Sequence, residues 1–208
     1  MKKYHKIPTV FKRDPETKFK TLLDGIYATP ELEYLKDCTW VFTEKIDGTN
    51  IRVMFDGKDL TFGGKTDRAQ IPDFLLNALE LRFMPLLNDF RELFPEGVCL
   101  YGEGYGAKIQ KGGGNYRSDQ DFVLFDVKVG EWWLKRSDIE DIAVNFCLDI
   151  VPIIGYGTLQ SMVDFTRQGL RSMWGDFLAE GIVARPHVEL KARSGQRIIT
   201  KIKHKDFR

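Results

Sequence analysis

The chain has 208 residues, 43% of them hydrophobic and 29% charged, with a formal net charge of +1. That length holds one domain, or two small ones, around a real core, and the charge balance excludes a uniformly basic nucleic-acid coat while allowing a local basic face. Cys38, Cys99 and Cys147 are odd in number and widely spaced, which argues against a disulfide framework or a zinc site.

The segment up to Cys38 is mixed, with turn signals at Asp14-Pro15 and Thr29-Pro30. From Trp40 the hydrophobic period is two: Val41, Thr43 and Lys45 share one parity, and Phe42, Glu44 and Ile46 the other. Asp47-Gly48 predicts a hairpin turn into a strand where Ile51, Val53 and Phe55 alternate with Arg52 and Met54. Asp56-Gly57 predicts a second hairpin into residues 60–62. Over residues 72–94 the period turns helical, with Phe74, Leu75, Ala78 and Leu79 as the stripe and Pro85 dividing two helices. Strands are predicted at 98–101, 122–129 and 131–135. Ser137 with Glu140 reads as a capping box opening a helix through Cys147. A second amphipathic helix is predicted over 161–173, then two strands at 181–185 and 197–205. Strands and helices alternate without βαβ spacing, so the expected class is α+β, with antiparallel β-sheets flanked by helices.

The basic start, MKKYHKIPTV, leads into no apolar signal core, and no apolar run approaches spanning length. A soluble, intracellular and cytoplasmic protein without a membrane partner is expected. Near the other end, Lys191, Arg193, Arg197, Lys201, Lys203, Lys205 and Arg208 are opposed only by Asp206. Runs of this kind usually form a solvated face.

Four stretches carry residue types suited to chemistry. In RIITKIKHK, Lys201 and Lys203 lie on one face of a strand, aiming two ammonium groups about 7 Å apart at one place. In AEGIVARP, Glu180 stands at a strand entrance. FVLFDVKV buries Asp126 in an apolar strand, where a carboxylate needs a cation, a metal or hydrogen bonds. LYGEGYGAKIQKGGGNY sets Glu103 between glycines with Lys108 and Lys111 nearby, as in a loop whose backbone approaches phosphates closely. Each stretch alone has an ordinary structural explanation.

Taken in order, EKIDGTNIR, GGKTDRAQIP, YGEGYGAKIQKGG, FVLFDV, EWWLKR, AEGIVARP and KIKHK resemble the motif series of the covalent lysyl-nucleotidyltransferase superfamily. Within it, they are most similar to the ATP-dependent RNA ligase family, from about Trp40 to Lys203. The resemblance implies an ATP-grasp-like nucleotidyltransferase domain in which Lys45 attacks the α-phosphate of ATP, expels pyrophosphate and holds AMP. A free lysine, with a pKa near 10.4, is almost wholly protonated at neutral pH. Crowding by Arg52, Lys201, Lys203 and a divalent metal, magnesium or manganese, would favour the free amine and neutralise the phosphates.

The same resemblance implies that Phe125 stacks on adenine and Glu103 binds the ribose hydroxyls. It implies backbone contacts from Glu44 and Ile46 to the adenine edge, and places Asn50 and Arg52 near the phosphates. Glu180 would bind the metal, with Asp126 assisting through water. Lys65 stands where the family usually has arginine, keeping the charge without the bidentate fork; Arg68 is a candidate to compensate. Trp132, Trp133 and Arg136 match a segment between later motifs, and the tryptophans read as structural.

The expected partner is RNA with 5′-phosphate and 3′-hydroxyl ends, in a nicked duplex or as single strands. The sequence ends five residues after Lys203, where many relatives continue into a second domain. The expectation is therefore a single nucleotidyltransferase domain over 1–208 with no OB-fold, in which an accessory protein could supply a missing part. The basic run and the 108–117 loop are the expected contacts for RNA phosphates. A related DNA ligase, an mRNA capping guanylyltransferase, and a non-catalytic nucleotide or nucleic-acid binding module remain open as alternatives.

Overall fold

A computed structural model describes residues 3–207, so Arg208 of the basic run lies outside the described residues. In chain order the strands and helices begin with β1 (Phe11–Arg13), β2 (Leu22–Tyr27), α1 (Pro30–Tyr34), β3 (Trp40–Lys45), β4 (Thr49–Phe55) and β5 (Leu60–Gly63). There follow α2 (Asp73–Phe83), α3 (Leu87–Leu93), β6 (Val98–Gly106), β7 (Gln120–Val129), β8 (Trp132–Trp133) and α4 (Arg136–Asn145). The last are β9 (Asp149–Ile150), β10 (Ile153–Gly157), α5 (Leu159–Gln168), β11 (Gly181–Pro186) and β12 (Thr200–Lys203). The chain forms two compact units, one of Met1–Tyr4 and Asp47–Val151, the other of His5–Ile46 and Pro152–Arg208.

The first unit is a six-stranded sheet in the order β5-β4-β6-β7-β8, with β9 added beside β7. All pairings are antiparallel except β7 with β9. The period-two pattern of β4 buries Ile51, Val53 and Phe55 in a core shared with Leu100, Phe122 and Leu124. Helices α2, α3 and α4 close that core with Leu75, Leu79, Phe83, Phe90, Ile139 and Ile142. In the second unit the sheet order is β10-β3-β11-β12, beside a β1-β2 ribbon. Trp40, Phe42, Ile182, Ala184 and Ile202 pack there against Leu159, Met162 and Val163 of α5. The expected α+β class with antiparallel sheets is the one observed.

Several local expectations hold, including the Asp56-Gly57 hairpin, which joins β4 to β5 with Phe55 opposite Leu60. Pro85 separates α2 from α3 within a short 3-10 turn. Six others are corrected in whole or in part. Asp47-Gly48 is no hairpin: β3 is flanked on both edges by β10 and β11, and β4 lies between β5 and β6 in the other sheet. The link is instead held by Tyr116 Oη, which accepts from Asp47 N at 3.2 Å, and by Gln110 Nε2, which donates to the Gly48 carbonyl at 3.1 Å. Thr29-Pro30 opens a helix, with Thr29 as N-cap and Pro30 in the first turn.

The acid that caps α4 is Asp138, accepting from Lys135 N at 3.3 Å, whereas Glu140 pairs with Arg136 one turn on. Helix α5 stops at Gly169, whose φ of 90° is left-handed and ends the helix five residues before the predicted boundary. The last strand is confined to Thr200–Lys203, and Arg197 is buried beside Glu189.

Of the glycine-rich stretch around Glu103, residues 107–116 are turns and a short 3-10 helix, while the part from Leu100 to Gly106 is strand rather than loop, within β6. Its glycines serve packing: a Cβ on Gly102 would lie 2.2 Å from Phe122 Cζ and 2.4 Å from the Val123 carbonyl oxygen. Gly102→Ala is expected to destabilise the chain by about 1–3 kcal/mol, the usual cost of overpacking a core. Urea denaturation checks this, and an unchanged midpoint would refute the packing role.

Candidate active site

Strand β3 alternates cleanly between Trp40, Phe42 and Glu44, which are buried, and Val41, Thr43 and Lys45, which are half-buried. The sheet register then places Lys45 opposite Gly181 of β11, and Gly181 opposite Lys203 of β12. Two rows along, Thr43 faces Val183 and Val183 faces Lys201. Directly opposed residues share a sheet face, so Lys45, Lys201 and Lys203 stand on the same half-open face. Between the two outer lysines Gly181 is required, because a Cβ there would come within 2.0 Å of the Ile202 carbonyl oxygen.

Glu180 fills the gap that Gly181 leaves. Its Oε2 lies 2.5 Å from Lys45 Nζ, and its Oε1 pairs with Lys203 Nζ. The three side chains are only 18%, 11% and 22% exposed for Lys45, Glu180 and Lys203, so solvent screening is weaker than for a surface ion pair. Burial alone would push the Glu180 carboxyl up, but the ammonium groups of Lys45 and Lys203 outweigh it and hold the carboxyl below its ordinary range. The backbone is fastened too: His204 N donates to the Glu180 carbonyl at 2.9 Å, and Lys203 N to Asp206 Oδ2 at 3.0 Å. Asp206 Oδ1 in turn binds Arg13 at 2.8 Å.

Glu44, on the opposite face of β3, is 1% exposed. It accepts hydrogen bonds from Ser172 Oγ at 2.5 Å and from Met173 N at 2.8 Å. Burial raises its carboxyl above the ordinary value in spite of those two donors. Ile46, which follows the nucleophile candidate, is buried, and its carbonyl oxygen is 3.4 Å from Lys45 Nζ.

The remaining candidates lie in the other unit. Along β7 and β6 the register jumps from Leu124 opposite Gly102 to Asp126 opposite Tyr101, so Phe125 is the extra residue of a β-bulge. Bulges re-aim side chains, and here Phe125 is left half-exposed while Leu124 and Val127 on either side both reach the core. Asp126 is fully buried and accepts from Tyr4 Oη at 2.8 Å. The Tyr4 ring also meets Phe125 edge-on at 5.1 Å. Asn50 and Glu103 sit opposite one another on β4 and β6. Asn50 Oδ1 is buried and accepts no hydrogen bond among the described residues, the mark of an atom awaiting a donor from elsewhere.

Arg52 is also buried, and its guanidinium donates to the Gly64 carbonyl and to Asp67, both at 2.9 Å. It thereby holds the 63–67 turn on which Lys65 and the neighbouring Arg68 are exposed. Of the 108–117 loop, Arg117 is engaged by Asp119 and Asp121, leaving Lys108 and Lys111 on the surface. Trp133 packs on Tyr4 and Tyr101, whereas Trp132 is 76% exposed.

Sequence reasoning missed Ser172 and Met173, because the predicted helix ran through them, and Tyr4, which lies 122 positions from its partner Asp126. Among the described residues, no group of three or more His, Cys, Asp or Glu gathers into a metal site. Glu180 supplies one hard carboxylate, and magnesium takes one or two protein carboxylates before completing its shell with water and phosphate oxygens. Both Glu180 oxygens are held by Lys45 and Lys203, so an ion bound there displaces an ammonium group.

A profile of the RNA ligase family matches residues 38–203. No match was found among curated protein sequences. Among solved structures, a mutant of the Naegleria gruberi RNA ligase with ATP and manganese aligns with a TM-score of 0.65 at 19% identity, over 85% of this chain and 54% of that one. The same ligase with pyrophosphate gives 0.64 at 19%, over 84% and 52%. A further mutant with AMP and manganese gives 0.64 at 18%, over 95% and 56%. The chain thus spans about half the length of these solved relatives, and at such identities the likeness is one of fold. No helix among the described residues is long and apolar enough to cross a membrane. The profile takes in every motif from the Lys45 strand to the Lys201–Lys203 strand, and the chain belongs to the RNA ligase family.

Proposed function

We propose that the chain is an ATP-dependent RNA ligase, with Lys45 as the covalent attachment point for AMP and both compact units belonging to one nucleotidyltransferase domain. The observation that supports this most strongly is the Lys45–Glu180–Lys203 triplet on the half-open face of its sheet. Lys45 Nζ attacks the α-phosphorus of ATP; a P–N bond forms as the P–O bond to pyrophosphate breaks. The ammonium must first give up a proton to bare its lone pair, and Glu180 Oε2 is already in hydrogen-bond contact with it. Lys203, with Lys201 on the same face, neutralises phosphate oxygens as the new bond forms. Glu180 is the residue that would hold magnesium or manganese, whose chemistry there is to offset phosphate charge.

Phe125 for adenine and Glu103 for the ribose follow from the family resemblance, and Asn50 Oδ1 is a buried acceptor for a donor on the nucleotide. Asp126, closed in by Tyr4, would act on the metal only through water. In the second stage AMP passes to an RNA 5′-phosphate, and a 3′-hydroxyl then expels it to leave a phosphodiester bond. Arg117 and Arg197 are withdrawn into internal ion pairs. Lys108, Lys111, Lys191, Arg193 and Lys205 remain as exposed contacts for the RNA backbone.

Incubation with α-phosphate-labelled ATP and magnesium or manganese is expected to yield acid-stable labelled protein, and Lys45→Ala to abolish it. Label persisting in that variant would remove Lys45 as nucleophile. Nicked RNA, single-stranded RNA, nicked DNA and triphosphate-ended RNA, offered in turn, separate an RNA ligase from a DNA ligase or capping enzyme. Stoichiometric ATP binding without an adduct would mark a binding module instead.

The Glu180 carboxyl is depressed in the folded chain, so over the window below its ordinary value of 4.5 the unfolded chain binds more protons than the folded one. The stability this supplies is complete above that value and is lost as pH falls through the native value. Glu180→Gln is therefore expected to cost about 1.5–3 kcal/mol at neutral pH, the range for a hydrogen bond to a charged group. It should also flatten the decline in stability below pH 4.5. Urea melts across a pH series check both, and a variant with the same acid slope as the parent would refute the pairing.

A further inference from the structure

A carboxylate buried behind a nucleophile needs a reason, because an unpaired buried charge is costly and an apolar residue would pack at lower cost. Glu44 shares its face of β3 with Trp40 and Phe42, so packing alone would favour another hydrophobe. Its two oxygens instead take two separate donors, Ser172 Oγ and Met173 N. Both donors belong to the segment between the end of α5 and Glu180. That segment folds back on itself: Ser172 N donates to the Phe177 carbonyl and Ala179 N to the Leu170 carbonyl, both at 2.9 Å. Ser172 Oγ, while donating to Glu44, accepts from Trp174 N at 3.1 Å. The loop is thus closed at its base, next to Glu180, and gripped near its tip by Glu44.

We propose that Glu44 is a positioning residue: its carboxylate pins the 170–179 loop to β3, and the loop delivers Glu180 to Lys45 and Lys203 on the other face. The two faces of one strand then divide the work. Lys45 reacts on one side, and the residue before it in sequence anchors, from the other side, the segment that carries the Lys45 partner. This gives the Glu44 side chain a role separate from any backbone contact to a nucleotide. It accounts for both hydrogen bonds, for the depth of burial, and for the closed form of the loop. The inference rests on the covalent reading of Lys45 given above.

The test compares the parent, Glu44→Gln, Ser172→Ala and the double variant, with Lys45→Ala as the adduct-free control. Adduct formation from labelled ATP is measured in single turnover at saturating nucleotide, and ATP affinity is measured separately. Each single variant is expected to slow adduct formation on the order of 10–100-fold, the cost of a small misplacement of reacting groups. ATP affinity should stay within about threefold, since the lost interaction acts on the chemical step. The double variant should be no slower than Glu44→Gln alone, because both changes break one clamp.

Amide hydrogen exchange over 170–180 supplies a readout independent of activity. It should quicken at Met173 in Glu44→Gln while α5 and β11 keep their protection. Parent-like adduct rates in both single variants would overturn the proposal, and so would effects that multiply or losses that track only the folded fraction. Unchanged exchange at Met173 would also overturn it. A parent protein that forms no adduct at all, or an adduct that survives in Lys45→Ala, would instead overturn the covalent reading.

Discussion

Two ammonium groups on one sheet face repel each other unless an anion stands between them, and Glu180 is that anion. Like charges about 4 Å apart near a protein surface oppose each other by about 4 kcal/mol at an effective dielectric of 20. The strand arrangement lowers that cost by setting Lys45 and Lys203 on strands either side of β11, with Gly181 opposite both. Glu180 then bridges them, one oxygen to each. The carboxylate holds the pair in place, and the attraction of the pair holds the carboxylate ionised against burial. Gly181, the Asp206 contact to the Lys203 backbone and the Glu44 grip on the preceding loop all bear on that bridge.

Two parts of the candidate set, Glu180 and the Phe125–Asp126 pair, stand where regular sheet is interrupted. Glu180 precedes the first residue of β11. Phe125 is the extra residue of a bulge in β7, so that Phe125 stays half-exposed and Asp126 is buried on a strand whose neighbouring residues belong to the core. An uninterrupted β7 would have kept Leu124 and Asp126 on the same face. The irregularities cost pairing but allow groups unsuited to a core to leave one strand on an unusual side.

Much of this was legible in the sequence because β-strands have a short and unforgiving period. The alternation around Lys45 gave its face correctly, and the spacing of Lys201 and Lys203 gave theirs; Pro85 marked the helix break. Local signals failed where the outcome depended on partners far along the chain. Asp47-Gly48 is a competent turn sequence, but nothing in it says that both edges of β3 are taken by β10 and β11. The glycines around Glu103 suggested a phosphate loop, yet Gly102 serves the ring of Phe122. Arg52 was placed near phosphates by the family resemblance alone, and no local signal announced the contacts by which its guanidinium fastens the turn carrying Lys65. The contacts of Tyr4 with Asp126 and of Ser172 with Glu44 have no local signature at all, since each is decided by packing across more than a hundred residues.

Near-neutrality of the whole chain hides a strong local asymmetry. Lys45, Lys201, Lys203 and Arg185 share one face of the β3-β11-β12 sheet by register, with Arg185 opposite Val41, and Glu180 is the acid bound between two of them. A site meant only to attract phosphate would be better served without that carboxylate, which cancels charge where charge is wanted. Under the proposed function the carboxylate has a use, because it positions the Lys45 amine, and the ion pair keeps the ammonium form until it is broken. The Glu180–Lys45 contact is therefore the feature by which the proposed chemistry differs from simple phosphate binding, since it fixes the amine at the cost of local positive charge.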